Sequence, residues 1–352
     1  MLKELELSNF RNFKSKKFSF SSNTTVIIGP NASGKTNILE ALYLLSTGKS
    51  FRARREEEMI NYRAEVARIT GGLAEKKEKL EIVLTRGQIN IGTTREERVP
   101  KKRLLINGIG KRLFNFAGNF KVVLFGPWDL DIVIESPSVR RYFLDMVLSQ
   151  VDKEYRRAIL SYEKGLRRRN KILYRIREEG ISRGNLLFWD KLLIKNGDYI
   201  SEKRGEFIDF VNNTKGMNNE IFRIEYDKSA ISESRLEQYK KEEIAAATTL
   251  VGPHRDDFCI KLKKRMFFRE LARFGSRGEQ RMSVLWLKLA ELKFIEEQTK
   301  EKPTLLLDDI FSELDHEHRD VVMKTIGGQQ TIITTADPHS VDKRGNIEII
   351  KI

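Results

Sequence analysis

Residues 29–36, with the sequence GPNASGKT, constrain the fold of this chain more than any other segment. The spacing of Gly29, Gly34, Lys35 and Thr36 matches a phosphate-binding loop, a backbone turn that joins a strand to a helix. An apolar run at residues 26–28 precedes the loop, and a helical pattern at residues 37–45 follows it. The segment therefore predicts an α/β fold built around a site for nucleotide phosphates.

The residue types of this loop suit the phosphates of ATP. Glycines let successive N–H groups point inward, and the first turn of the following helix adds partial positive charge. Lys35 is expected to reach the β and γ phosphates as a catalytic residue, and the Thr36 hydroxyl to ligate Mg²⁺. A glycine-rich turn with an incidental lysine is the plainer alternative. The predicted nucleotide-binding residues are Gly29, Pro30, Asn31, Ala32, Ser33, Gly34, Lys35 and Thr36.

A second candidate element is the apolar run at residues 304–307, which ends in two carboxylates. This arrangement is typical of the second sequence element of the nucleotide site in ATPases that have a phosphate loop. We expect Asp308 to bind Mg²⁺, directly or through water, and Asp309 to polarise the attacking water as a catalytic residue. An acidic, solvated turn after a strand is the competing interpretation.

The segment SRGEQR at residues 276–281 resembles the signature of ABC ATPases, Ser-x-Gly-Gln or Glu. It predicts a nucleotide contact by Ser276, Gly278 and Glu279. Ser276 and Glu279 also form the pattern of a helix capping box, and a capped helix start can itself bind phosphate. The order along the chain favours the signature, because the acidic strand, an acidic loop at residues 312–315 and a strand at residues 331–335 follow it.

The pattern of apolar residues predicts two lobes. Short strands surround one helix before residue 135, apolar residues recur every three or four positions after residue 137, and strands return after residue 244. A hairpin is expected at residues 258–268, and another turn at Asn107 and Gly108. The prediction is an α/β P-loop ATPase head of ABC type, made of residues 1–135 and 300–352. Residues 136–299 form an inserted, mainly helical lobe with basic helices, which ends in the signature segment.

Charge and composition limit the classes of partner that the chain is expected to bind. The formal net charge is +15, which favours a polyanion, nucleic acid first and an anionic membrane surface second, although a solvated basic surface is the plainer explanation. The run Arg167, Arg168 and Arg169 is open to both interpretations. One cysteine and no apolar stretch of membrane-spanning length indicate a cytoplasmic protein with no membrane partner.

Further segments show a resemblance to a known family that runs nearly end to end. They are residues 7–13 (LSNFRNF), 48–52 (GKSFR), 137–145 with Arg140 and Arg141, and 251–257 (VGPHRDD), together with the phosphate loop and residues 276–281. With these segments the chain resembles the RecF family, bacterial recombination mediators related to SMC-type ATPases. The resemblance implies an ABC/SMC-type head.

The resemblance also implies a function and partners. It implies an ATP-dependent homodimer in which Ser276 of one subunit contacts, in trans, the nucleotide of the other, with weak hydrolysis triggering release. It further implies binding to gapped DNA or single-strand/duplex junctions, association with the nucleoid, and cooperation with RecR and RecO in loading RecA. The His254 segment could bind a ligand or support the lobe.

Some positions depart from ABC ATPases of transporter type. Those ATPases carry glutamate after the magnesium aspartate and histidine at the last strand, where this chain has Asp309 and Thr335. The metal-sensing glutamine also has no clear counterpart in the segment FGPWD at residues 125–129. Slow hydrolysis is expected, with ATP acting as a switch. The alternatives are an ATPase subunit that energises a membrane transporter, and a structural module with a vestigial phosphate loop.

Overall fold

In this computed structural model the described residues are 1–91, 95–217, 220–312, 322, 328–337 and 347–352. The chain divides into two compact units, Met1–Pro127 with Ile295–Ile352, and Trp128–Phe294. The predicted domain boundaries, 1–135 with 300–352 and 136–299, stay a prediction. The predicted acidic loop extends from Ser312 into residues 313–315, which lie outside the described residues.

The strands are β1 Leu2–Phe10, β2 Phe13–Ser19, β3 Thr24–Ile28, β4 Val66–Leu73, β5 Glu78–Thr85, β6 Gln88–Ile91, β7 Arg95–Arg98, β8 Lys102–Ile106, β9 Ile109–Lys111, β10 Val122–Phe125, β11 Phe222–Asp227, β12 Asp257–Lys264, β13 Phe267–Glu270, β14 Thr304–Asp308, β15 Thr331–Thr335 and β16 Ile347–Lys351. The α-helices are α1 Lys35–Thr47, α2 Leu113–Phe116, α3 Asp131–Ile134, α4 Pro137–Val151, α5 Lys153–Glu179, α6 Leu187–Asn212, α7 Glu233–Gln238, α8 Lys240–Ala246, α9 Leu271–Phe274 and α10 Arg277–Thr299.

The first unit is built on a parallel sheet in the order β10-β14-β15-β3-β16. Its strands β14 and β15 are buried along their whole length, which explains the continuous apolar run of β14 at residues 305–307. Neighbours β15 and β3 come from opposite ends of the chain, with Thr335 paired to Ile28. This pairing brings the end of β14, where Asp308 lies, towards the phosphate loop that follows β3.

An antiparallel sheet in the order β2-β1-β4-β5-β8-β9 completes the first unit. Helix α1 packs against β4 and β5 of this sheet and against β10, β14 and β15 of the parallel sheet. Because it is covered on both sides, α1 is apolar almost all round, and its residues from Ile38 to Thr47 are buried. The helix that begins at the phosphate loop is therefore packed into the core of the first unit from Ile38 onwards.

The second unit combines helices with a small sheet in the order β11-β12-β13. Helices α5 and α6 pack along each other, and Asp152 caps α5 by accepting hydrogen bonds from the N–H groups of Glu154 and Tyr155. In β11 and β12, buried residues alternate with residues on the outer face. Helix α10, which starts in this unit, follows α9 and the hairpin of β12 and β13.

The structure confirms most of the predicted elements. The hairpin turn at Asn107 and Gly108 joins β8 to β9, and both residues have the positive φ angles that such a turn requires. Several strands have no counterpart in the sequence-based prediction, among them β4, β11 and β16. Strand β4 contains the glycine pair at residues 71 and 72, a composition that weakens the strand signal.

Candidate nucleotide-binding site

The predicted phosphate loop is a tight turn between β3 and α1. The N–H of Ser33 donates to the carbonyl of Pro30 at 3.2 Å. Ala32 and Gly34 have positive φ angles of 66° and 109°, which orient neighbouring N–H groups towards the inside of the turn. The strand, loop and helix context that the sequence predicted is therefore present.

Two positions of the loop require glycine for steric reasons. A Cβ atom on Gly29 would lie 2.7 Å from both the Ile352 carbonyl oxygen and the Ser33 Oγ. At Gly34 it would lie 2.7 Å from the Asn12 amide, and the positive φ would add strain. The Asn12 Nδ2 donates to the Ser33 carbonyl at 2.8 Å, so the segment around residue 12 supports the loop directly.

The polar atoms inside the loop are arranged to receive an anion. Lys35 is buried, and its Nζ donates to the carbonyls of Gly29 at 2.7 Å and Pro30 at 2.9 Å. The Ser33 Oγ is buried and has no hydrogen-bond partner in the described part of the chain. Since a buried hydroxyl without a partner costs free energy, this atom fits a site that a ligand completes.

Thr36 and Asp308, the two predicted magnesium ligands, lie together. The Thr36 Oγ1 donates to the Asp308 Oδ2 at 2.8 Å, and the Thr334 Oγ1 donates to the Asp308 Oδ1 at 2.5 Å. Asp308 is 4 % exposed, so its carboxylate is fixed in a nearly dry environment. A hydroxyl and a carboxylate are oxygen ligands of the kind that Mg²⁺ prefers.

Asp309 has a different backbone geometry from Asp308. Its φ is 49°, in the left-handed region, and its N–H donates to the Thr334 carbonyl at 3.1 Å. Aspartate and asparagine tolerate this conformation better than most residues. The turn lets consecutive carboxylates leave the strand in different directions, so that Asp308 faces Thr36 while Asp309 is half-buried.

Glu40 of α1 contacts two of the segments that carry the family resemblance, residues 7–13 and 48–52. This carboxylate is fully buried on α1 and accepts hydrogen bonds from Arg11, Arg52 and Ser50 at 2.6 to 2.8 Å. Burial favours the neutral carboxyl, but the hydrogen bonds from Arg11 and Arg52 outweigh it and lower the pKa of Glu40. The segments at residues 7–13 and 48–52 therefore meet at one buried charge.

The predicted signature residues form the capping box at the start of α10. The Ser276 N–H donates to the Glu279 Oε2 at 2.8 Å, and the Glu279 N–H donates to the Ser276 Oγ at 3.3 Å. Partial burial acts to raise the pKa of Glu279, but hydrogen bonds from Ser276, Lys264 and Arg269 lower it to about 2. Ser276 and Gly278 are exposed, which leaves this turn accessible.

The residues around His254 support the second unit. Arg204 of α6 is 1 % exposed and binds Asp145 and Asp256 at 2.8 and 2.9 Å. The His254 Nδ1 is 2.8 Å from the Tyr162 hydroxyl, and burial lowers the pKa of His254 to about 4, so the ring is neutral at pH 7. The side chain of His254 therefore takes part in a buried network of hydrogen bonds.

Arginines that the sequence grouped together have different environments. Arg140 binds Asp257 through two nitrogens at 2.6 and 3.0 Å, and is therefore part of the same support. Arg169 is buried and ion-paired with Asp190 and Glu243, whereas Arg167 and Arg168 are exposed. Within the run of residues 167–169, these two exposed arginines are the ones accessible to a polyanion.

Three residues that the structure places at the site are not among those predicted from the sequence. Glu40 is an acid inside an apolar helical run, Thr334 is a polar residue inside a buried strand, and Asn12 lies in a loop distant in sequence. The first two signals are readable, because a charge or hydroxyl in a buried element requires a partner. The contact of Asn12 follows only from the tertiary structure.

Comparison with known proteins identifies the family. The model of the RecF/RecN/SMC N-terminal domain matches residues 1–350. The chain belongs to this family. Among its RecF members, the "DNA replication and repair protein RecF" of Herpetosiphon aurantiacus is 36% identical, with 95% of this chain and 92% of the relative covered. The protein of the same name from Clostridium botulinum strain Eklund 17B is 37% identical with the same coverage.

Solved structures of this family show the same fold. The recombination mediator protein RecF with ATPrS, described as part of the RecFOR pathway, has a TM-score of 0.87 and 33% identity, with 100% of this chain and 96% of that chain covered. The Smc head domain from Pyrococcus furiosus, bound to part of ScpA, has a TM-score of 0.51 at 16% identity and supports the fold alone. The α/β, ABC/SMC-type head is thus confirmed.

Proposed function

We propose that this protein is an ATP-dependent, DNA-binding recombination mediator with slow ATPase activity. In this proposal it binds gapped DNA or single-strand/duplex junctions, dimerises on ATP and helps to load a recombinase at gaps. Weak hydrolysis then triggers release. The observation that carries the proposal is the Thr36 to Asp308 contact beside a phosphate loop, in a chain that is 33% identical to a RecF protein solved with ATP.

ATP binding would use the loop and the residues that surround it. The phosphates would replace the carbonyls of Gly29 and Pro30 as partners of the Lys35 ammonium, and would give the Ser33 hydroxyl a partner. Thr36 and Asp308 would hold Mg²⁺. When bound, the ion neutralises charge that develops on the phosphate oxygens during hydrolysis.

Asp309 would orient the attacking water and accept its proton. Its side chain is one carbon shorter than the glutamate found here in transporter-type ATPases, so the water is positioned less closely and hydrolysis is slow. ATP would then act mainly as a switch between states of the protein. In trans, Ser276, Gly278 and Glu279 of one subunit would contact the nucleotide of the other.

DNA binding is supported by charge and by the family. The net charge of +15 attracts phosphate backbones, and the relatives are named for DNA replication and repair. The solved relative is described as part of the RecFOR pathway, which makes RecR and RecO the expected partners and RecA the recombinase served. We place the protein in the cytoplasm, associated with the nucleoid.

A transporter-associated ATPase subunit is the rival from another functional class. No helix among the described residues is long and apolar enough to cross a membrane. The relatives at 36% and 37% identity favour the repair function, and the position of the switch histidine holds Thr335. A vestigial phosphate loop is disfavoured because Lys35, Thr36 and Asp308 keep the chemical groups that ATP and Mg²⁺ require.

Fluorescence anisotropy of labelled gapped DNA tests the proposal. The wild-type protein is titrated at one fixed salt concentration, with and without ATP and Mg²⁺, because salt alone changes such affinities by orders of magnitude. ATP is expected to tighten binding, and the Lys35→Met variant to lose that tightening. Absence of DNA binding in both nucleotide states would contradict the proposal and favour the transporter-associated alternative.

A further inference from the structure

The hairpin of β12 and β13 and the short helix α9 expose large apolar side chains in one short segment. Met266 is 94 % exposed, Phe267 62 % and Phe274 65 %. Leu271, between the two phenylalanines, is buried and anchors α9. The exposed rings are therefore presented on an ordered backbone, although exposing them to water has a cost.

Several cations lie near these rings in sequence, and their ion-pair partners divide them into two groups. Lys264 and Arg269 bind Glu279 at 3.0 and 2.6 Å, which ties the hairpin to the capping box at the start of α10. Lys263 and Arg265, by contrast, are exposed and make no ion pair with any other described residue.

Two exposed arginines that follow the hairpin belong to the second group, the cations without a close ion pair in the described part of the chain. Arg277 is exposed and has no ion pair within the described ranges. Arg273 is 75 % exposed and approaches Glu270 only at 3.7 Å, a contact that contributes little in water. Lys263 pairs with Phe268 in the hairpin, so its side chain lies on the face opposite Phe267. We call Arg265, Phe267, Arg273, Phe274 and Arg277 the hairpin surface.

We infer that the hairpin surface binds single-stranded DNA. This inference rests on the proposed DNA-binding function and assigns that function to a defined part of the second unit. Exposed cations attract a phosphate backbone, and exposed aromatic rings stack on bases that are not already stacked in a duplex. Duplex DNA offers phosphates but no free base faces, so Phe267 and Phe274 give the surface its preference for single strands. Neither ring reads sequence, which suits gaps of any sequence.

The structure also favours DNA over a protein partner for this surface. At the core of a protein interface the three exposed arginines of this surface would have to be desolvated and paired with anions. DNA phosphates neutralise the same cations directly. Ser276 and Glu279 lie at the base of the hairpin, so a strand bound here would lie next to the turn that we propose to contact ATP in trans.

Anisotropy with labelled oligothymidine, a duplex and a gapped DNA at one salt concentration tests the inference. For Phe267→Ala/Phe274→Ala we expect oligothymidine affinity to fall about tenfold or more, because both rings on which bases would stack are lost. Duplex affinity is expected to change less than about twofold. Phe267→Tyr/Phe274→Tyr, which keeps the aromatic faces, should bind as the wild type does. Phe188→Ala on α6, where the ring is 65 % exposed, is the matched control.

Arg265→Gln/Arg273→Gln provides a second readout. The slope of log affinity against log salt for oligothymidine should become shallower by about 0.7 for each phosphate that the variant no longer neutralises. Unchanged oligothymidine binding by the double alanine variant, while the wild type binds DNA, overturns this inference and leaves the proposed function intact. If the double alanine variant binds oligothymidine normally but no longer dimerises with ATP, the inference is also wrong, and the hairpin surface is instead an interface with a second copy of the chain. A wild type that binds no DNA removes both proposals.

Discussion

The Thr36 Oγ1 donates a 2.8 Å hydrogen bond to the Asp308 Oδ2 across 272 residues of sequence. The contact exists because β15 pairs with β3 on one side and with β14 on the other, which places the ends of β3 and β14 at the same edge of the parallel sheet. Ligands of open α/β sheets bind at this carboxyl edge. The oxygen pair is therefore a product of topology.

Asp308→Asn should remove magnesium-dependent ATP binding while leaving the protein folded. The amide keeps the size of the side chain and one acceptor for Thr36 or Thr334, but it lacks the charge that Mg²⁺ requires. We expect ATP affinity in the presence of Mg²⁺ to fall at least about tenfold, measured by calorimetry, with thermal unfolding little changed. Thr334→Val, which removes the 2.5 Å bond to Oδ1 and the weaker 3.4 Å bond to the Leu307 carbonyl, is the milder control. Equal affinities for the wild type and Asp308→Asn would exclude the metal role.

Asp309→Asn should separate hydrolysis from binding. Asparagine tolerates the left-handed φ of 49° as well as aspartate does, so the turn survives. Loss of the carboxylate should lower the single-turnover rate about 10²-fold or more, the usual contribution of a general base. ATP affinity is expected to stay within about twofold. A hydrolysis rate like that of the wild type would place the base elsewhere.

Ser276→Arg should leave ATP binding by the monomer intact and prevent ATP-dependent dimerisation. The variant loses the cap of α10, which costs about 1 kcal/mol, and places a long cation where the partner's nucleotide is proposed to lie. Ser232→Arg is a matched control, because Ser232 also caps a helix, α7, in the same unit. Light scattering with ATP should show dimers for the control only. Dimers of Ser276→Arg would contradict the trans site.

The sequence predicted the phosphate loop, the acidic strand end and the capping box because each is a local pattern with a physical requirement. A loop that needs glycine at residues 29 and 34 shows that need in its composition. A strand buried on both faces, such as β14, reads as an apolar run. These features depend on residues that are close together in sequence, so a single amino-acid sequence is sufficient to predict them.

What the sequence could not supply are partners chosen by the tertiary structure. Arg169 and its neighbour Arg168 are chemically identical, yet one is buried against Glu243 and the other is exposed. Helical phase alone does not decide which face meets α8. Similarly, Glu40 reveals the need for a partner, but only the fold selects Arg11 and Arg52.

Lys288→Met should destabilise the second unit in a pH-dependent way. The Lys288 Nζ lies 2.6 Å from the Glu291 Oε2 on α10, and both side chains are buried. Burial raises the pKa of Glu291 to about 7, from an ordinary value of 4.5 when unfolded. The folded state therefore binds the proton more tightly, and stability falls as pH rises through this window. Without Lys288 the ionised carboxylate has lost its nearest cation, so its pKa rises further and the decline extends to higher pH.

Denaturant unfolding at pH 5 and pH 8 measures this effect. At pH 8 the loss of unfolding free energy should be about 3–5 kcal/mol, the usual cost of leaving a buried charge unpaired. At pH 5 the loss should be smaller, because Glu291 is protonated, and what remains reflects the loss of the cation that lies 3.8 Å from the buried carboxylate of Asp129. Lys293→Met, at an exposed position of the same helix, should change stability by less than about 0.5 kcal/mol at both pH values. An equal loss for Lys288→Met at pH 5 and pH 8 would show that packing of the lysine stem or its contact with Asp129, and not the charge of Glu291, determines the effect.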